Sequence, residues 1–297
     1  MPTTCHRFPV KGPLQLALTL TCGQAFRWRP DDGAWSGVVG GAVWRAATEG
    51  RDLAVEVRGK DPGPEAVHRY FRLDEPPERF LAQAAPLRDV PGFTDLLGLR
   101  LLRQEPWETL VSFLCSAASN VRKISGGLEG MAARWGDAIP GSDRRAFPAA
   151  GAIARADERE LRALGIGFRA PYVLEAARRV ATRGWSWDPL RRASVEEARA
   201  TLRAFPGVGP KIADCVLLFG LDRLDTYPVD RWIRRATMEL TANTHARDED
   251  LERWSQGLGP GRGYLQQILF HLRRTGGPLP ALASPRPAAR ARRRRPA

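Results

Sequence analysis

Lys211 stands in the stretch Leu202-Arg203-Ala204-Phe205-Pro206-Gly207-Val208-Gly209-Pro210-Lys211-Ile212-Ala213-Asp214, beside an apolar helical stripe of Val208, Ile212, Cys215, Val216 and Phe219. Positions i and i+4 share a helix face, so the Lys211 amine and the Cys215 thiol are neighbours. An amine next to apolar surface loses solvation, which favours its neutral, nucleophilic form. Composition singles this lysine out: of 46 basic residues only four are Lys (Lys11, Lys60, Lys123, Lys211) and the other 42 are Arg. Arginine cannot supply a neutral amine, so a lysine in such a chain marks a place where an amine is wanted. Downstream, Tyr227-Pro228-Val229-Asp230-Arg231-Trp232 puts Asp230 at the N-cap of a helix continued by Ile233, Ala236, Thr237 and Leu240. A carboxylate held near an amine can also stabilise an oxocarbenium-like transition state, the chemistry of glycosidic bond cleavage. A snorkelling lysine and a plain capping aspartate are the alternative readings.

The elements that must position these groups follow from periodicity. Pro206-Gly207-Val208-Gly209 lies between two helical patterns, with glycines that let the backbone turn sharply and approach a partner. The second helix then presents unpaired N–H groups and the positive end of its dipole, which suits a phosphate. This is a helix-hairpin-helix signature, a DNA-binding element that also occurs outside enzymes; an ordinary helix–turn–helix connection is the other reading. Helices are expected over 121–135, 171–182, 195–205, 208–219, 231–240 and 264–273, and behind Pro106, where Trp107, Leu110, Val111, Leu114 and Ala118 follow helical spacing. Gly165-Ile166-Gly167 and Gly257-Leu258-Gly259-Pro260 mark turns. The first sixty residues read as strands instead: Leu14, Leu16, Leu18 and Leu20 alternate with polar or small residues, 53–57 repeats the period of two, and Gly40-Gly41 between apolar runs signals a hairpin. The fold class is α+β, with an antiparallel N-terminal domain over 1–104, an all-helical domain over 105–277 and a disordered Pro/Arg-rich tail over 278–297.

Composition sets the partners. With 297 residues, 43% hydrophobic, the chain can bury real cores. No run approaches the 18 or so apolar residues of a membrane span, so no membrane association is expected. Gln15, Thr19 and Thr21 break the one stretch that mimics a leader. The net charge of +13 favours a polyanion; the tail's six arginines (Arg286, Arg290, Arg292, Arg293, Arg294, Arg295) leave +7 on the rest. The tail reads as a non-specific nucleic-acid tether. The four scattered cysteines have no Cys-x-x-Cys spacing, which argues against zinc and iron–sulfur sites, and free thiols point to an intracellular protein of cytoplasm or nucleoid, or of the nucleus in a eukaryote.

The hairpin with Lys211 followed by Pro228-Val229-Asp230 resembles the helix-hairpin-helix DNA glycosylase superfamily and, within it, the eukaryotic-type branch of 8-oxoguanine DNA glycosylase/lyases. The match runs collinearly over roughly residues 10 to 274 through 22–29, 35–38, 70–74, 101–108, 112–116, 165–170 and 266–270. Several motifs in order are specific where any one is weak. The resemblance implies a bifunctional enzyme that flips a damaged nucleotide out of duplex DNA. Lys211 would attack C1′ and form a Schiff base leading to β-elimination, and Asp230 would stabilise the developing charge.

In the damaged-base pocket the resemblance places Gly23, whose carbonyl would take the N7–H that 8-oxoguanine has and guanine lacks. Phe270 and Cys215 would sandwich the base, Gln266 would bond its Watson–Crick edge, and Pro228 would complete the pocket. At the opposite strand it places Phe168 as a wedge, with Arg169, Ser119, Asn120 and Lys123 around the estranged cytosine. Gly207, Gly209 and Trp232 would meet phosphate. Three departures stand out: Lys123 stands where the family typically has Arg, Ala118 falls where it has an Asn that contacts the cytosine, and Trp232 falls where a His is frequent. No cofactor is expected, apart from a cation held by the hairpin carbonyls when DNA is bound, and the protein is expected to act as a monomer. A glycosylase for alkylated purines and a non-catalytic DNA-binding module are the competing functions, the first supported by Ala118, both opposed by the lysine, aspartate and pocket residues.

Overall fold

The structure is a computed structural model that describes residues 3–75, 78–81 and 87–282. The six tail arginines lie outside the described residues.

Five strands, β1 (Thr4–Pro9), β2 (Trp28–Asp31), β3 (Ala34–Val39), β4 (Ala42–Glu49) and β5 (Asp52–Gly59), form one antiparallel sheet in the order β1-β5-β4-β3-β2. Gly40 and Gly41, at φ of 55° and 80°, make the expected hairpin between β3 and β4, a two-residue turn whose twist matches that of the strands. The leucine alternation before the sheet is not a strand. It is a helix, α1 (Leu16–Thr21), with Leu16, Thr19 and Leu20 buried. A spacing of two also satisfies i, i+4, and tertiary contact decides: Gln15 N–H donates to the Gly98 carbonyl at 2.7 Å, which fixes the entry to the helix.

The inner face of the sheet packs on α2 (Pro64–Tyr70) and the residue after it, where the Trp44 ring lies 5.1 Å from Tyr70 and 6.2 Å from Phe71. Gly37 is required within β3, since a Cβ there would sit 2.4 Å from the Trp28 ring.

The rest is helical: α3 (Glu78–Leu81), α4 (Pro106–Leu114), α5 (Val121–Trp135), α6 (Ala150–Ala154), α7 (Glu158–Leu161), α8 (Ala170–Val180), α9 (Asp188–Arg192), α10 (Val195–Arg203), α11 (Pro210–Cys215), α12 (Arg231–Leu240), α13 (Asp248–Gln256) and α14 (Arg262–Gly276). The helix expected over 208–219 starts two residues late because Gly209 is extended, and it runs on into a π-type turn over Val216–Gly220. Glu105 caps α4 in front of Pro106, its carboxylate accepting from the N–H groups of Trp107 and Glu108.

Two buried cores result, one behind the sheet and one among the helices, and Cys22 and Phe26 from the sheet half enter the helical core. The seam between them is polar. Gln24, 1% exposed, donates to the carbonyls of Thr19 and Arg100 at 2.8 Å each and accepts from Leu102 N–H at 2.9 Å. Arg72, equally buried, donates to the Leu101 carbonyl at 2.9 Å and to Glu75 at 2.6 Å, and reaches Asp222 just beyond the π-type turn that follows α11. Sequence motifs far from the hairpin are therefore the parts that join the halves.

A second buried pair fixes α11. Arg199 on α10 donates to Asp214 at 2.7 Å and to Glu252 on α13 at 2.7 Å, while burial pushes the Asp214 carboxyl up to about 6 in spite of that arginine. A raised carboxyl of this kind is destabilising when charged, so its penalty is greatest above pH 6 and is relieved as pH falls toward its ordinary value of 3.8. Arg199→Met should cost about 3 kcal/mol near pH 8, and the stability gap to wild type should narrow by pH 5. Denaturant melts at the two pH values check this.

Candidate active site

The hairpin over 204–209 is held from behind. Phe205 packs edge-on against Trp185 at 5.1 Å, and Arg179 donates to the Ala204 carbonyl at 2.6 Å. Gly207 has φ of 80°, and a Cβ there would meet the Tyr172 ring at 2.6 Å, so only glycine fits. Pro210 opens α11, leaving the N–H groups of Lys211 and Ile212 without helical partners at the mouth of an open cavity of about 1070 Å³.

Lys211 and Asp230 both line this cavity, together with Gly23, Phe270, Ser119, Asn120, Lys123, Gly209 and Trp232. The lysine amine stands 5.0 Å over the Phe113 ring and 3.2 Å from Ser116 Oγ. That hydroxyl donates to the Phe113 carbonyl at 2.7 Å, so its lone pairs face the amine. Asp230 is the N-cap of α12: one carboxylate oxygen accepts from the N–H groups of Trp232 and Ile233 at 2.8 Å each, which leaves the other for the cavity. The Trp232 indole lies between Arg231 and Arg235, with guanidinium carbons at 5.1 and 5.8 Å from its ring.

The remaining expected site residues lie outside the cavity lining. Cys215 is buried beneath Lys211, and burial pushes its thiol up to about 12, with the lysine pulling the other way, so it is a neutral neighbour of the amine. Gln266, 4% exposed, donates to the Pro228 carbonyl at 3.1 Å, and its Oε1 is buried with no hydrogen-bond partner. An orphaned acceptor of this kind is what a ligand donor would satisfy. Gly23 has φ of 92°, and the loop is tied down on both sides, by Gln267 donating to the Cys22 carbonyl at 3.1 Å and by Gln24.

On the opposite-strand side the geometry differs from expectation. Phe168 is exposed, at 52%, with the Arg169 guanidinium 4.4 Å over its ring. Arg169 itself is buried: it donates to the carbonyls of Ala117, Ala118 (2.9 Å) and Ile166 (3.1 Å), and so braces the loop after α4. Asn120 likewise uses its side-chain oxygen to cap α5 through Lys123 N–H at 3.0 Å. Lys123 is exposed on the cavity wall. Ala118 has φ of 46°, a left-handed backbone in which an alanine is strained.

Sequence reasoning missed two residues at the site. Ser116 lies 95 positions from the lysine it touches, a contact no periodicity reveals. Arg274, four residues after Phe270 on α14, lines the cavity with its guanidinium 5.2 Å over that ring; the i, i+4 spacing alone could have found it. Among the described residues no group of three or more His, Cys, Asp or Glu could hold a metal, and no helix is long and apolar enough to cross a membrane.

An amine on the second helix of a phosphate-binding hairpin, with a capping carboxylate across one cavity, defines a helix-hairpin-helix DNA glycosylase of the lysine-bearing kind. Comparison with known proteins narrows the class. Residues 8–110 match the family model for the 8-oxoguanine DNA glycosylase N-terminal domain. The chain is 31% identical to the N-glycosylase/DNA lyase OGG1 of Arabidopsis thaliana over 89% of its own length and 79% of the relative's, and 30% identical to the N-glycosylase/DNA lyase of Saccharomyces cerevisiae over 76% and 68%. The 8-oxoguanine glycosylase/lyase of Clostridium acetobutylicum, solved with double-stranded DNA containing cytosine opposite 8-oxoguanine, superimposes with a TM-score of 0.80 at 26% identity, over 88% of this chain and 92% of that one. The chain belongs to the 8-oxoguanine DNA glycosylase/lyase family.

Ser116→Ala removes the hydrogen bond that holds the Lys211 amine and leaves the fold intact. A hydrogen bond to such a group is worth about 1.5 kcal/mol, or roughly tenfold. Borohydride trapping of the lysine–DNA adduct should therefore form about ten times more slowly in this variant, with unchanged lesion binding.

Proposed function

We infer that this protein excises 8-oxoguanine from duplex DNA and then cleaves the strand at the same site, with Lys211 as the nucleophile. The observation that carries this is the convergence of Lys211, Asp230, Gly23 and Phe270 on one cavity behind the hairpin. With the nucleotide flipped into that cavity, the amine attacks C1′ as the bond from C1′ to the base nitrogen breaks, and the bonding pair leaves with the base, which takes up a proton. The free oxygen of Asp230 faces the positive charge that builds on the sugar. Opening of the sugar ring gives a protonated imine between Lys211 and C1′. Loss of a C2′ proton then expels the 3′ phosphate, and water releases the lysine.

Base recognition rests on Gly23, whose carbonyl accepts from N7–H of the oxidised base and opposes the N7 lone pair of guanine. The unsatisfied Gln266 oxygen takes N–H groups of the Watson–Crick edge. Phe168 serves as the wedge into the stack, pre-positioned by Arg169. Trp232 with its flanking arginines, and the backbone at Gly207 and Gly209, take the phosphates. We further propose that the enzyme works as an intracellular monomer without a resident cofactor, with a cation joining the hairpin carbonyls to phosphate only on DNA.

Lys211→Gln should abolish borohydride trapping and retain binding to an 8-oxoguanine duplex; trapping that persists would remove Lys211 as the nucleophile. Selectivity for the opposite base should be modest, because Ala118 offers no hydrogen bond and Arg169 is committed to the loop. Ala118→Asn supplies the missing amide in a backbone conformation that asparagine tolerates better. Single-turnover excision opposite each of the four bases should show the preference for cytosine rising several-fold in this variant.

A further inference from the structure

Gly23, Phe270 and Arg274 make one wall of the cavity: a Cβ on Gly23 would lie 3.7 Å from Phe270 Cε1 and 3.8 Å from Arg274 Nη1. Arg274 differs from the residue before it. Arg273 is paired with Glu239 at 2.9 Å, whereas among the described residues no carboxylate pairs with Arg274, and its guanidinium rests on the Phe270 ring. Among the described residues Asp230 is the one carboxylate lining the cavity, with one oxygen engaged by the start of α12 and the other free. Lys123, Lys211 and Arg231 add further positive charge to the same lining.

We propose that Arg274 is a specificity residue of the base slot, whose guanidinium admits neutral oxidised purines with carbonyl edges and turns away purines that carry positive charge on the ring, as N7-alkylated guanine does. This rests on the reading that the flipped base stacks on Phe270. A base in that position lies within roughly 10 Å of the guanidinium, where two unit charges at an effective dielectric of about 20 repel enough to change occupancy about tenfold. A neutral base meets no such barrier, and its carbonyl oxygens are attracted to the cation. An N7 substituent also meets the Gly23 carbonyl, a steric penalty that is the same whatever stands at position 274, so the comparison of charged with neutral side chains there isolates the electrostatic part. The wall thus separates two lesion classes by charge, while the Gly23 carbonyl separates oxidised from intact guanine by hydrogen bonding.

The test is single-turnover base release from duplexes holding 8-oxoguanine or 7-methylguanine opposite cytosine, for wild type, Arg274→Gln and Arg274→Lys. The ratio of 7-methylguanine to 8-oxoguanine release should rise at least tenfold in Arg274→Gln and stay within threefold of wild type in Arg274→Lys, which keeps the charge. An unmoved ratio in Arg274→Gln, or 7-methylguanine release undetectable throughout, overturns the proposal, as does a lysine variant that follows the glutamine one. Release of 8-oxoguanine by each variant reports that it is folded. Absence of that release in wild type overturns the underlying functional reading instead.

Discussion

The buried side-chain amide of Gln24 sets the distance between two halves that apolar packing through Cys22 and Phe26 brings together. Each end of that amide is satisfied by backbone groups of the segment that leads into the helical half. The Gly23 carbonyl, one residue away, can be placed to a fraction of an ångström only because its neighbour cannot shift without orphaning buried polar groups, a penalty of about 1 to 3 kcal/mol for each one. Arg72 and Asp222 repeat the arrangement at the far end of the seam, beyond the π-type turn that follows α11. The Gly23 loop on one side and the helix carrying Lys211 on the other are kept in register through this polar seam. Apolar packing alone, being non-directional, would not hold them so.

Within the helical half, the Lys211 amine is positioned by its surroundings more than by its own helix. The aromatic face of Phe113 and the lone pairs of Ser116 both attract the amine, and the loop that carries Ser116 is braced by Arg169. The same guanidinium lies against Phe168, so the segment facing the opposite strand and the segment facing the lysine share one buried cation. Asp230 caps α12 through one oxygen and leaves the other for the cavity, so the capping reading does not exclude the role proposed for it above.

What could be read from sequence was local. Pro106, Asp230 and the Gly40-Gly41 pair act through adjacent backbone, and the helices and hairpin they mark stand where their chemistry puts them. The helical apolar period located α5 and α12 to the residue. The leucines before the sheet misled because alternate spacing is a subset of helical spacing, and the contact with Gly98 that decides between them is over eighty residues away. Helices α6, α7 and α9 have four or five residues each, too few for a period to show. At the site, the amine and carboxylate carried their own signatures. The partners of Arg169 and Lys211 did not, being backbone carbonyls and a serine brought in by folding.

The packing of the Arg169 guanidinium on Phe168 bears on the wedge role proposed above. An exposed phenylalanine ordinarily samples several rotamers, and freezing it on insertion between base pairs would slow every attempt. Here a buried guanidinium already lies on the ring, so the side chain enters the stack with little conformational entropy left to lose. For the wedge role proposed above, such pre-ordering means a short stay at each undamaged pair.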